Sequence, residues 1–172
     1  GFAAVIVRLF NVAGPGETNP HLLPEIFAQL KSSQRTIKLG NLSPKRDYID
    51  VRDAARGFWA VASRGNVPPK SVTTVNLGTM KQYSVVEILD RIKIISGIEF
   101  EIEQDVKRLR KVDRPYLFAD ISQIEALFGW KPKFNINDTI TAMIHEPDLP
   151  VHLVKKYSLL TPAPLKSELY AS

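Results

Sequence analysis

The strongest constraint on how this chain folds is the stretch from Ala3 to Phe10, apolar at every position except Arg8 and rich in branched side chains. Such a run is far too short to span a bilayer and suits a strand covered on both faces within a parallel sheet. It ends at Asn11-Val12-Ala13-Gly14-Pro15-Gly16, where glycine and proline force a loop. Neither a basic lead segment nor a small-residue cleavage site accompanies it, so it reads as a buried strand and not as a secretion signal. With no membrane helix in view and no cysteine among 172 residues, the expectation is a cytoplasmic chain. Disulfides, thiolate metal sites and nucleophilic thiols are excluded.

Strands and helices alternate after that opening. Leu22, Leu23, Ile26, Phe27 and Leu30 recur at helical spacing, predicting a helix over His21–Ser32 with one buried stripe. Short strands are expected at Thr36–Leu39 and Asp47–Val51, and a helix over about Asp53–Ser63. After a Pro-containing loop, Val72–Leu77 reads as a strand. Ser84 with Glu87 three residues later is a capping box, which starts a helix that Gly97 stops. Glu99–Gln104 alternates as a strand. Asp120 with Gln123 repeats the capping logic, and Gly129 ends that helix. A last helix starts near Asn137 and gives way at Pro147, leaving a Pro-containing tail over 148–172. The alternation indicates an α/β class. Only Ala3–Phe10 and Val72–Leu77 read as central sheet members, too few for an open parallel sheet.

Formal net charge is +5, which points to an anionic ligand without choosing among them. The motifs narrow the choice. Arg8-Leu9-Phe10-Asn11-Val12-Ala13-Gly14-Pro15-Gly16 is followed by Arg46-Asp47-Tyr48-Ile49-Asp50-Val51-Arg52-Asp53 and then by Asn76-Leu77-Gly78-Thr79. Further on come Arg110-Lys111-Val112-Asp113, Ala119-Asp120-Ile121-Ser122 and Phe128-Gly129-Trp130-Lys131-Pro132. In this order and at this separation, the series resembles the signature of extended short-chain dehydrogenases/reductases of the NAD-dependent epimerase/dehydratase type. The resemblance covers about residues 3 to 145. Ala13, Met80, Lys111 and Gln123 depart from the pattern, where tyrosine, a second glycine, proline and lysine are usual.

The resemblance implies the carboxy-terminal part of a Rossmann-type enzyme: strands of the parallel sheet plus a small α/β substrate-binding domain. Residues 1–147 would form that half, with 1–15 and 51–80 belonging to the sheet and 16–50 and 81–147 to substrate binding. The family's glycine-rich dinucleotide turn is absent: Gly14 and Gly16 are the only close pair, and Asn19 stands where a third glycine would fall. No Tyr-x-x-x-Lys pair is found either, since Arg52, Glu87, Asp120 and Thr161 lie four residues after Tyr48, Tyr83, Tyr116 and Tyr157. The expectation is therefore a chain with no catalytic residues of its own, whose partner is a missing amino-terminal half holding NAD or NADP. The complete protein is expected to be a homo-oligomer acting on a nucleotide-diphosphate sugar. Gly40-Asn41-Leu42 followed by Arg46-Asp47 is similar to the GDP-sugar branch.

Three residues carry the substrate reading. Asn11 leaves the sheet where ligands of open α/β sheets bind, although a loop asparagine can equally bond its own backbone. Arg46 lies between a polar turn and a strand, where its guanidinium can fork onto a diphosphate; the bland alternative is a surface arginine paired with Asp47 or Asp50. Arg110 follows the same logic within a basic cluster that includes Lys107, Arg108, Lys111 and Arg114. Asn76, Gly78 and Thr79 read as turn-shaping, and Asp53 and Asp120 as helix caps. Trp59 and Trp130 read as core or interdomain packing. His21, His145 and His152 are too scattered for a metal site. Two other readings compete: a non-catalytic sugar-nucleotide module, and a basic nucleic-acid-binding domain, which lacks an aromatic stacking platform and a recognition helix.

Overall fold

The computed structural model describes residues 2–17, 19–32, 35–64, 67–109 and 113–145. In chain order the elements are β1 (Ala4–Leu9), β2 (Asn11–Ala13), α1 (Leu22–Lys31), β3 (Thr36–Leu39), β4 (Lys45–Arg46), β5 (Tyr48–Asp50) and α2 (Val51–Arg64). There follow β6 (Val72–Leu77), β7 (Tyr83–Ser84), α3 (Val85–Ser96), β8 (Glu101–Gln104), β9 (Tyr116–Leu117), α4 (Ser122–Phe128) and α5 (Ile136–His145). They form two compact units. Among the described residues, one gathers those within Gly1–Ala13, Lys45–Tyr83 and Arg114–Ile136; the other gathers those within Gly14–Pro44 and Ser84–Asp113 together with α5 from Asn137.

In the first unit β1 and β6 are parallel, in register from Ala4 opposite Val72 to Leu9 opposite Leu77. Just past the end of β1, β2 pairs in parallel with β5, placing Asn11 opposite Tyr48 and Ala13 opposite Asp50. Val5 and Val7 turn toward a core of Ile49, Val75, Leu77, Ile124 and Phe128, while Ile6 on the alternate face is 51% exposed and Leu9 at the end of the strand 44%. Among the described residues helices cover one side of this strand, and the cover expected on its other face is not supplied by them. α2 supplies part of the cover on the buried side through Ala54, Gly57 and Ala60, spaced to lie on one helical face. Gly57 sits so close to the sheet that an added Cβ would stand 2.3 Å from Leu77 Cδ1. The opposite side of α2 leaves Phe58 and Trp59 exposed, Trp59 by 73%, so of the two readings of Trp59, core or interdomain packing, the core is not met among the described residues. Trp130 is a core residue, at 3% exposure. It follows Gly129, whose φ of 60° ends α4 in the left-handed region that favours glycine.

The second unit is built on local signals. Ser84 accepts from Glu87 N at 3.2 Å and the Glu87 carboxylate accepts from Ser84 N at 2.7 Å, the reciprocal capping box read from the sequence. Gly97 closes α3 at φ 68°. β3 pairs in parallel with β8, Thr36 opposite Glu101. The other edge of β3 is satisfied by a side chain: Gln29 Nε2 donates to Lys38 O at 3.1 Å, and Lys38 N donates to Gln29 Oε1 at 2.8 Å. That exchange explains why α1 is buried from Leu23 through Leu30 and not along one stripe alone. Its two polar residues in that span are both satisfied, Gln29 by the strand and Glu25 by Arg108 Nη1 at 2.8 Å.

Candidate functional site

The first unit places Asn11 and Arg46 near one another in the strand frame. Asn11 opens β2 opposite Tyr48, and Arg46 lies two residues before Tyr48 along the chain. Asn11 is exposed, and Arg46 is half-buried. β4 pairs with β9, Lys45 opposite Tyr116 and Arg46 opposite Leu117. The Arg46 guanidinium is held by two carbonyls: Nη1 donates to Lys45 O at 2.8 Å and to Arg114 O at 2.7 Å. Asp50 takes Arg52, through Nε and Nη2 at 2.8 Å each. Arg110 lies outside the described residues.

The residue after Arg46 is the most constrained acid in the unit. Asp47 is 1% exposed. Its carboxylate accepts from Thr79 N at 2.9 and 3.0 Å, Thr79 Oγ1 at 2.6 Å, Met80 N at 3.0 Å and Ala119 N at 3.1 Å. Among the described residues no cation pairs with it. A carboxylate taken out of water costs several kcal/mol unless its lone pairs are satisfied. Here neutral donors from two distant segments satisfy it. Its own N–H donates to Leu117 O at 2.9 Å, so Asp47 ties β4 to β9 and to the loop after β6 at once. Gly78 is needed there for space: a Cβ would lie 2.5 Å from Ala119 Cβ and 2.9 Å from Asp47 Oδ2. Met80 takes a φ of 62° where the resembled pattern has glycine, and its N–H lands on Asp47 Oδ2. Asn76 Nδ2 donates to Asp120 O at 3.0 Å, so Asn76, Gly78 and Thr79 all shape this turn.

Asp53 behaves differently from expectation. It is fully buried in the first turn of α2, but its Oδ2 accepts from Lys133 N and Phe134 N at 2.8 Å each, and Oδ1 pairs with Arg56. It is a clasp on the 131–135 segment and not a cap of its own helix. Arg52 stacks 3.7 Å over the Phe134 ring, reinforcing the same clasp. Asp120 stands one residue before Ile121, the N-cap position of α4, and its carboxylate serves the start of that helix. Its Oδ1 accepts from Ser122 N at 2.9 Å, and hydrogen bonds from the Ser122 backbone and then its side chain hold the exposed carboxyl below the usual range.

Beside this frame lies a hollow of about 130 Å³ between Tyr48, Thr79, Lys81 and Tyr83 on one side and Pro132, Lys133, Phe134, Asn135 and Ile136 on the other. Neither Asn11 nor Arg46 lines it. Where helices follow strands directly, at Asp50–Val51 and Ser84–Val85, no glycine stands at the junction. Among the described residues no group of three or more His, Cys, Asp or Glu could hold a metal, and no helix is long and apolar enough to cross a membrane.

Parallel strand pairs and the helices that connect them define an α/β protein of the Rossmann class. Residues 1–143 match the GDP-mannose 4,6 dehydratase family, and the chain belongs to it, within the extended short-chain dehydrogenases/reductases. It is similar to the GDP-6-deoxy-D-talose 4-dehydrogenase of Aggregatibacter actinomycetemcomitans, 30% identical over 82% of this chain and 46% of the relative. It is also similar to the UDP-glucose 4-epimerase of Bifidobacterium longum, 33% identical over 82% of this chain and 45% of the relative. The structure of RMD from Pseudomonas aeruginosa complexed with NADPH shares the fold at a TM-score of 0.69, with 20% identity, 91% of this chain and 49% of that chain. The chain spans about half the length of the curated relatives it matches.

Proposed function

We propose that this chain is the nucleotide-sugar-binding half of an NAD(P)-dependent sugar-nucleotide epimerase, dehydratase or reductase, and that alone it performs no hydride transfer. The observation that carries the reading is the family match over residues 1–143 in a sequence that has neither the glycine-rich turn nor a Tyr-x-x-x-Lys pair. In the complete enzyme a nicotinamide would supply the hydride acceptor or donor. The work of this chain is to bind and orient. Arg46 grips the substrate's diphosphate, a planar fork suited to two phosphate oxygens. Asn11 hydrogen-bonds the sugar nucleotide at the exit of β1. Arg110 is a second diphosphate contact, and residues 16–50 and 81–147 complete the substrate side. A GDP-sugar is the favoured ligand, from Gly40-Asn41-Leu42 and Arg46-Asp47.

Titration of the purified 172-residue chain with GDP-mannose and UDP-glucose, with and without NAD or NADP, tests this. Saturable binding that Arg46→Ala weakens about tenfold or more is expected, since a charge-assisted hydrogen bond contributes roughly 1.5 to 3 kcal/mol. Arg46→Lys restores part of it. No nicotinamide turnover is expected. Steady hydride transfer by this chain, or unchanged affinity in Arg46→Ala, overturns the reading. Binding of nucleic acid that collapses with salt, with no preference for diphosphate sugars, would favour the polyanion reading instead.

A further inference from the structure

We propose that Asp47 is a positioning residue for the anion site, setting the Arg46 guanidinium through a buried hydrogen-bond hub that includes the Thr79 hydroxyl. The inference rests on the reading of Arg46 as the diphosphate contact. Its basis is geometric. Arg46 Nη1 lies on the carbonyl of Arg114, so the aim of the guanidinium depends on where β4 sits against the 114–117 segment. Asp47 fixes that placement from the adjacent position. Its N–H holds Leu117 O at 2.9 Å and its carboxylate holds Ala119 N at 3.1 Å, bracketing β9 from one residue. The same carboxylate pulls in Thr79 and Met80, so the loop after β6 buttresses β4. A buried carboxylate surrounded by donors has one satisfied arrangement, because any slip of the strand leaves oxygens or N–H groups unpaired. That makes the hub stiff.

Thr79 makes the proposal testable without dismantling the core. It is only part-buried, and its hydroxyl sits 2.6 Å from Asp47 Oδ1. Thr79→Val removes that donor at nearly constant shape, while Thr79→Ser keeps it. With GDP-mannose as the probe, Thr79→Val is expected to weaken binding about three- to tenfold, the scale of one lost hydrogen bond, with Thr79→Ser close to the parent. Asp47→Asn should lose more. Asp53→Asn, which breaks a comparably buried clasp not shared with β4, should lower the melting temperature and leave affinity unchanged.

A double-mutant cycle separates positioning from bulk stability: in the Arg46→Ala background, Thr79→Val should cost no further affinity. If Arg46→Ala itself is neutral, the diphosphate reading falls and this inference with it. If Arg46→Ala weakens binding but folded Thr79→Val binds like the parent, or the two losses simply add, the positioning role alone is overturned. Equal affinity losses in Asp53→Asn and Asp47→Asn at matched stability would likewise reduce Asp47 to a structural acid.

Discussion

Thr79 gives Asp47 two of its donors, the backbone N–H at 2.9 Å and the hydroxyl at 2.6 Å, across 32 residues of sequence. That double attachment explains how the next residue, Met80, is kept at a φ of 62°. A side chain in the left-handed region costs about 1 to 2 kcal/mol, and it persists only when neighbours over-determine the backbone. The Met80 N–H on Asp47 Oδ2 is the neighbour that does so.

Met80→Gly should therefore stabilise the chain. The relief of left-handed strain is partly offset by the larger unfolded-state entropy of glycine, leaving about 0.5 to 1 kcal/mol. The Met80 side chain is 53% exposed, so little packing is lost in exchange. A urea denaturation series reads the difference directly. A lower midpoint for Met80→Gly would mean that the side chain is buried against something that outweighs its backbone strain.

The opposite outcome is expected at Gly57. Alanine is the better helix former by about 1 kcal/mol, so propensity alone predicts stabilisation. The added Cβ, however, would stand 2.3 Å from Leu77 Cδ1 and 3.0 Å from Cδ2, and Leu77 is fully buried. Overpacking of this kind costs about 1 to 3 kcal/mol. Gly57→Ala should thus lower stability in equilibrium denaturation despite its propensity. A gain would show that α2 can move off the sheet without penalty.

What was legible in the sequence was what short-range chemistry decides. β3 and β6 fall on the expected residues, and the Ser84–Glu87 box and the Gly97 and Gly129 stops are local patterns that need no partner from elsewhere. Asp53 reads as a cap in the sequence because its partners, Lys133 and Phe134, are 80 and 81 residues away; in isolation an acid at the start of a helix looks like a cap. Asp47 is not legible as a hub for the same reason: its donors lie at Thr79, Met80 and Ala119, and the one local sign is an acid placed directly before Tyr48-Ile49. The full burial of α1 was hidden by Glu25 and Gln29, polar letters that turn out to be satisfied indoors. Trp59 reads as core or interdomain packing and β1 as a strand covered on both faces; hydrophobicity says that a residue can be buried and not which part of a protein supplies the cover.

The last prediction concerns pH. Glu17 Oε1 and His21 Nδ1 lie 2.5 Å apart in the turn before α1, with the Glu17 side chain 13% exposed. Burial pushes the Glu17 carboxyl above its ordinary 4.5, and the hydrogen bond and charge of His21 only partly counter this. A carboxyl whose pKa is raised on folding binds its proton more tightly in the native state. Its favourable contribution is complete below the unfolded value and is lost as pH climbs through the folded one. Glu17→Gln removes the titration while keeping an amide of similar size. The stability of the parent relative to Glu17→Gln should therefore rise as pH is lowered from about 7 to about 4, with most of the change above the unfolded carboxyl value. Paired thermal melts of the two chains across that range measure it. A difference that is flat, or that grows in favour of Glu17→Gln toward acid, would mean that pairing with His21 outweighs desolvation at this site.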